Sequence, residues 1–449
     1  MNASGGQTAS KRVAVVGAGI AGLSMALRLS ADHDVAVFER ESTPGGKIHS
    51  EHLGGFLFDW GPNGFLSSAA ELRDVVREAG CESELAQAAP AASKRYIYWG
   101  GKLHALPSAL PGALSMSLLS VSGKLRAARE PFVRARPDAR DGDESVHAFF
   151  ERRFGREVAD RVVAPALLGI TGGDASATSV ASLFPRLLEM EREHGSVIRA
   201  MMRGRRTPGR LSSFGAGGMQ HLTDAVAAKL GNRLRLGCAV ERVEPGESGW
   251  RIVHAGGEFH ADAVSIATPS DAAAAILETS DAELAELLRG IAYAPMRVAG
   301  VAFRSQDVPV PLDGFGFLAA RGQGVRILGA LFTSTIYPSQ APPDTAYLRV
   351  FLGGATDRGA VGLDAASARG IVLADLAKTL GITAEPVAYH EAVWPHAIPQ
   401  YALDHRARLA RIDERVAAHR GLTLAGNAYR GLGLSDNVRD SLAVATRIA

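Results

Sequence analysis

The chain of 449 residues reads as an α/β protein with a parallel-sheet domain, a second domain of mixed sheet, and a helical subdomain. Three observations lead there. Residues 13–38 run strand, glycine turn, helix, strand. From Pro107 to Arg210 the texture turns helical and rich in arginine. Between Val298 and Leu352, short apolar runs alternate with Pro/Gly turns, the pattern of a mixed or antiparallel sheet.

The opening unit is the most informative. Val13-Ala14-Val15-Val16 is an apolar run long enough for a buried strand. Where it stops, Gly17, Gly19 and Gly22 give G-x-G-x-x-G, and Ile20 and Ala21 open a helix carrying Leu23, Ala26, Leu27 and Leu29 at helical spacing. Val35 to Phe38 form a second strand, ending in Glu39-Arg40. Each residue type has a mechanical task. The first glycine makes the tight turn, the second lets the backbone approach a pyrophosphate, and the third lets helix and sheet pack closely. The helix N-terminus attracts phosphate, and an acid about 20 residues past the first glycine accepts hydrogen bonds from a ribose. Together they predict a Rossmann-like, dinucleotide-binding unit.

Beyond it, Gly45-Gly46-Lys47 forms a second glycine turn that lets backbone amides approach the same cofactor. Gly61-Pro62-Asn63-Gly64 breaks the chain after a strand end, and Glu71 to Gly80 reads as an amphipathic helix stopped by glycine. Residues 94–107 read as a β-hairpin around Gly100-Gly101, entered through the cations Lys94 and Arg95. The helical stretch holds two arginine clusters, one from Lys124 to Arg140 and one comprising Arg199, Arg203, Arg205, Arg206 and Arg210. A solvated helical face and a face lying on anionic lipid fit them equally. A helix follows a glycine loop within Leu211 to Leu230. Strands are expected near 234–236, 240–243, 250–254 and 264–268, and helix over 270–289. At the C-terminus the opening logic returns: the strand Leu422–Ala425, the glycine loop Gly426 to Gly433, then a helix. A helix N-terminus there would stabilise negative charge on a reduced flavin ring.

Composition sets the bounds. Lys plus Arg (49) nearly balances Asp plus Glu (47), which argues against a general nucleic-acid binder. Cys81 and Cys238 are the only cysteines, so neither a disulfide scaffold nor a cysteine-built metal centre is available, and no metal is expected. The first ten residues are small and polar and read as a loose tail, not a signal or transit peptide. No uncharged apolar run of about 18 residues is present, so the chain reads as soluble or peripheral.

These motifs together resemble the flavin-containing amine oxidase superfamily, and within it the oxygen-dependent protoporphyrinogen oxidases. The resemblance runs over nearly the whole chain. Its more specific carriers are Gly61-Pro62-Asn63, the stretch Tyr96 to Pro107, Gly169 to Asp174, Glu191 to Ser196, Gly314 to Leu318, Leu328 to Phe332, Ile398-Pro399-Gln400-Tyr401 and Gly426 to Gly433. It implies non-covalent FAD, since Asp436-Asn437-Val438 stands where many members carry an Asp-Cys pair. It implies three chain segments building the FAD-binding domain (1–90, 205–270 and 405–449). A substrate domain would comprise 91–110 and 271–404, and a helical, membrane-facing subdomain 111–204. The cofactor residues carried over are Gly17, Gly19, Ile20, Ala21, Gly22, Glu39, Arg40, Gly45, Gly46, Lys47, Gly61, Pro62, Asn63, Val240, Trp394, Gly426, Asn427, Gly433 and Leu434. For the substrate they are Arg95, pairing with a propionate, Leu318 and Phe332 sandwiching the pyrrole rings, Phe315 nearby, and Gly169 on the backbone that approaches the ring.

The reaction implied is a six-electron oxidation of a porphyrinogen in three flavin cycles, each consuming oxygen and releasing hydrogen peroxide, with hydride passing to the flavin N5. The cofactor carries the chemistry, so no acid–base residue is assigned; Asn63, near the flavin, is the one candidate for a direct role. His49, His52, His194 and His396 read as structural. The partners implied are the porphyrinogen, molecular oxygen, an anionic membrane surface on the cytoplasmic side and a second copy of the chain, but not nucleic acid. Coproporphyrinogen III is the alternative donor, kept open by Lys94 beside Arg95. An amine oxidase, a carotenoid desaturase and a non-catalytic tetrapyrrole carrier are more distant readings.

Overall fold

The computed structural model describes residues 10–107, 112, 116–136, 143–203 and 209–448. The expected tail before residue 10, together with Arg140, Arg205 and Arg206 of the two clusters, lies outside the described residues.

The strand Arg12–Val16 sits at the centre of a five-stranded parallel sheet. On one side it pairs with Asp34–Phe38 and on the other with Ala263–Ile266; Leu234–Arg235 and Leu422–Leu424 form the two edges. Segments far apart in sequence therefore meet in one sheet. Both faces are covered, as the unbroken apolar run of the central strand requires. Val13, Val15 and Val37 face a layer of helices Ile20–Leu29, Ala70–Ala79, Gln220–Leu230 and Leu434–Ile448. Ala14, Val16 and Ile266 face helices Ser270–Leu277 and Ala282–Arg289 and a small antiparallel sheet built on Trp250–His254.

The second sheet has seven strands, ordered Ala388–Pro399, Tyr293–Arg304, Thr345–Gly353, Gly329–Leu331, Gly316–Ala319, Arg95–Trp99 and Lys102–Leu106. Every neighbouring pair is antiparallel except Gly316–Ala319 with Arg95–Trp99, so the sheet is mixed. The hairpin turns at Gly100-Gly101, both left-handed (φ 59° and 80°), the conformation that matches strand twist in a two-residue turn. One face packs Val301, Leu348 and Val350 on the helix Ala365–Leu380. The other carries Tyr347 against Phe56 and Phe58, with Phe58 stacked on Trp60 at 5.2 Å.

The described residues between 116 and 203 are mainly helical, with Val146, Phe149, Leu167, Val180 and Val197 as their core. Part of the arginine content is internal. Arg153 and Glu130 form a fully buried pair, and Arg152 binds Glu144 at 2.9 Å and Glu191 at 2.7 Å. Arg126 donates to the carbonyls of Arg152 (2.7 Å) and Arg153 (3.0 Å). No helix among the described residues is long and apolar enough to cross a membrane.

Candidate active site

The crevice opens at the carboxyl ends of the central parallel strands, where such sheets bind ligands. Gly17 takes φ 101° and donates its N–H to Phe38 O at 2.8 Å, tying the turn to the second strand. A Cβ on Gly22 would lie 2.0 Å from Gly17 O, so helix Ile20–Leu29 can approach the strand this closely only with glycine there. Around Gly19, by contrast, no atom lies within 4 Å of where a Cβ would be. The first turn at Ile20 and Ala21 has no side-chain cap and no acidic residue, which leaves its amides for an anion. Gly45 donates its N–H to Ala18 O at 2.8 Å and bridges Gly19, so the two glycine turns form one cradle.

Glu39 is buried, and its carboxylate accepts from Ala18 N (2.7 Å) and Glu41 N (3.0 Å). It braces the glycine turn and keeps lone pairs for a ribose. Arg40 is exposed and paired with Glu41. Cys238 N donates to Glu39 O at 2.7 Å, which brings Val240, two residues on, to the same end of the crevice. Lys47 is the charge inside. Its ammonium lies 5.0 Å from the Tyr293 ring centroid, and burial lowers its pKa to about 8 against the pull of Asp271. Asp271 is itself bonded to His396 at 2.6 Å, so His396 holds a carboxylate and stacks on Tyr293.

The flavin-side residues converge. A Cβ on Gly61 would sit 1.8 Å from Lys47 O, pressing the Gly61-Pro62-Asn63 turn onto the glycine doublet. Trp394 donates its indole N–H to Trp60 O at 3.1 Å, and Arg349 donates to Gly61 O at 2.7 Å. Arg349 is fully buried; its Nε and Nη1 meet no hydrogen-bond partner among the described residues, and burial lowers its pKa. The loop Gly426 to Gly433 closes the crevice, because Ala425 N bonds Ile266 O at 3.0 Å and Leu434–Ile448 packs beside Ile20–Leu29.

Of the residues expected to face the ring, Arg95 and Leu318 lie on the seven-stranded sheet. Arg95, exposed at a strand start, places its guanidinium 5.0 Å from the Phe315 ring centroid and has no carboxylate within 4 Å among the described residues. Lys94 instead forms a salt bridge with Asp313, which also accepts from Tyr96 Oη at 2.6 Å. Helix Ala164–Thr171 packs against strand Gly316–Ala319 at Gly169, where a Cβ would lie 2.1 Å from Leu318 Cδ2. Phe315 and Leu318 are both half-buried.

Phe332 is buried. Expected against the rings, it is 1% exposed and packs in the core near Phe317, Ala330 and Val350. One residue along a strand reverses the face. Leu331, registered between Gly316 and Arg349 and packed, like Phe315, on the cluster of Ala92, Ile336 and Tyr337, is half-buried on the other side. Phe351, half-buried beneath Arg349, shares that face two residues further along its strand. Strand alternation from Tyr347 was the signal that could have found it.

A parallel-sheet crevice lined by two glycine turns, an uncapped helix start and a half-buried lysine defines a dinucleotide-dependent oxidoreductase. Residues 20–449 match the model of the flavin containing amine oxidoreductases, and the chain belongs to that family. Mitochondrial protoporphyrinogen oxidase of Nicotiana tabacum is 30% identical over 95% of this chain and 92% of its own. Coproporphyrinogen III oxidase of Bacillus subtilis (strain 168) is 27% identical, covering 95% of both. A crystal structure from Exiguobacterium sp. 255-15, provisionally designated a protoporphyrinogen oxidase, superposes with a TM-score of 0.85 at 26% identity, covering 98% of both chains. The cofactor is FAD. The open space at Gly19 and the half-buried Lys47 without an anionic partner within 4 Å among the described residues fit its diphosphate.

Proposed function

We propose that this enzyme oxidises protoporphyrinogen IX to protoporphyrin IX, passing electrons through FAD to molecular oxygen. The observation that carries the reading is the pairing of a guanidinium without a carboxylate partner among the described residues, Arg95, with an apolar face of Phe315, Leu318, Leu331 and Phe351. A flat, greasy macrocycle with carboxylates on one edge suits that face. Lys94, which would favour a substrate with carboxylates around the whole rim, is engaged by Asp313. FAD, when bound, supplies the two-electron acceptor; six hydrogens leave the macrocycle in three turnovers, with three O2 becoming three H2O2.

The chain's own residues do the positioning. Arg95 anchors a propionate by charge-assisted hydrogen bonds, the apolar face excludes water, and Gly169 and the Gly61–Asn63 turn let backbone approach the ring. We assign residues 91–110 and 271–404 to this substrate side, and the segments around the parallel sheet to FAD. The helical region meets an anionic membrane surface. Phe132 is 83% exposed and Met202 76%, with the Arg199 guanidinium 6.0 Å from the Phe132 ring centroid and Val121 and Leu125 exposed one helical turn apart. Apolar contact plus cations worth about 1 kcal/mol each suits such a surface.

Stopped-flow flavin reduction with protoporphyrinogen and coproporphyrinogen side by side tests the substrate. Faster bleaching by protoporphyrinogen is expected, and reduction by neither would end the porphyrinogen reading. Flotation with anionic but not zwitterionic vesicles tests the surface.

A further inference from the structure

The motif Ile398-Pro399-Gln400-Tyr401 contributes no group to the crevice described above, yet its last residue is 1% exposed and fully engaged. Tyr401 Oη donates to Asn427 O at 2.8 Å and accepts from Gly431 N at 2.7 Å. Its ring stacks on His405 at 4.1 Å between centroids, 11° from parallel. His405, four residues on at the start of helix His405–Ala417, places Nε2 3.1 Å from Tyr429 O. Burial lowers the His405 pKa, so the ring is neutral and Nε2 carries the proton that the carbonyl accepts. Positions 427, 429 and 431 of the flavin-side loop are thus held by two side chains from outside it. The loop needs such a hold: it contains two glycines at positive φ, Gly426 (127°) and Gly431 (135°), which leave its backbone a wide choice of conformations.

The same segment reaches the opposite way. Gln400 donates Nε2–H to Thr171 O at 3.1 Å, at the end of the helix that carries Gly169. Tyr401 O accepts from Ser179 N at 2.8 Å, and Ala402 bridges Thr178. Gln400 N is fixed in turn by Ala292 O at 2.8 Å.

We propose that Gln400, Tyr401 and His405 form a bracket that sets the flavin-side loop and the Gly169 helix at a fixed spacing. They are positioning residues: Tyr401 and His405 act on the cofactor and Gln400 acts on the substrate. This rests on the reading that Gly426 to Gly433 faces the flavin. A bracket of this kind separates two effects that a merely stabilising cluster would mix.

The test uses the full-length holoenzyme. Tyr401→Phe keeps the ring stack and removes only the hydroxyl. It is expected to weaken FAD binding about tenfold, the loss of one to two ordinary buried hydrogen bonds, and to shift the flavin midpoint potential with the porphyrinogen KM unchanged. Gln400→Met is expected to do the reverse, raising KM while FAD affinity and potential stay at wild-type values. Should Tyr401→Phe not fold, His405→Gln, which leaves the hydroxyl bonds in place, is read the same way. Wild-type FAD affinity and potential in Tyr401→Phe, even with a lowered Tm, would overturn the bracket. Gly433→Ala checks the premise separately, because this glycine is not left-handed and its Cβ would meet only Asp436, at 3.1 Å. If that variant leaves FAD affinity untouched, the loop does not face the flavin and the underlying reading fails. If it weakens FAD while Tyr401→Phe does not, only the bracket fails.

Discussion

The FAD crevice and the ring-facing sheet are built from different parts of the chain. The crevice is made of backbone: glycines at 17, 19, 22, 45, 46 and 61 remove side chains so that strands, helix and turns approach one another and the cofactor. The ring face is made of side chains, whose direction depends on strand parity and on which neighbours a sheet brings beside them. A backbone site is intolerant of any added atom; a side-chain site is sensitive to which atom and which face. The two should therefore fail differently when altered.

The largest effect is expected in the crevice. Gly22→Val adds a branched side chain where even a Cβ would lie 2.0 Å from Gly17 O. Overpacking of this kind costs about 1–3 kcal/mol or more, and here it also moves the helix start away from the phosphates. The purified variant should carry no FAD, read from the ratio of absorbance at the flavin band to that of the protein. Full FAD occupancy would show that close helix–strand approach is not what the third glycine provides.

On the sheet, the contrast is between neighbours in sequence. Phe332→Ala should lower stability by about 3–5 kcal/mol, as for other buried aromatic truncations, with KM for porphyrinogen nearly unchanged. Leu331→Ala should leave the denaturation midpoint almost in place and raise KM about tenfold, from the loss of one apolar contact. The opposite pattern would return Phe332 to the ring and undo the parity argument.

This pair also shows what the sequence could and could not convey. Gly17, Gly19, Gly22 and Glu39 were legible because their spacing is local and each has one mechanical reason. That Ala263–Ile266 and Leu422–Leu424 are strands was legible from their short apolar runs next to glycine or proline. The face that Phe332 takes was not legible because a three-residue strand, Gly329–Leu331, gives too little alternation to fix it. The strand Ala388–Pro399 escaped notice: it carries Pro395 and charged or exposed positions along its length, as an edge strand does. Arg349, Asp271 and Tyr293 gain meaning only from partners 20 to nearly 300 positions away, for which no local pattern exists.

An effect smaller than that of Phe332→Ala is expected at the rim. Arg95→Ala removes the one guanidinium beside Phe315 and should weaken porphyrinogen binding by about 1.5–3 kcal/mol, with FAD content unchanged. Lys94→Ala should do far less, since its ammonium is already satisfied by Asp313. Equal losses from the two variants would mean that both cations meet substrate, and would favour coproporphyrinogen.

The smallest effect comes from proton linkage at Lys47, and it joins the two regions because Tyr293 belongs to the seven-stranded sheet. Burial lowers this amine from the ordinary 10.5 to about 8 in the FAD-free protein. Between those values the unfolded chain binds a proton that the folded apoprotein has lost, so apoprotein stability rises with pH across that window through this group. FAD binding has the opposite sign. A diphosphate favours the ammonium form, so affinity is full below about pH 8 and declines as the free protein loses the proton above it. Apoprotein Tm and FAD Kd should both increase from pH 8 to 10, and Lys47→Met should flatten this contribution to each. If FAD affinity in the wild type did not change across that range while Lys47→Met still bound FAD weakly, Lys47 would act by shape and not by charge.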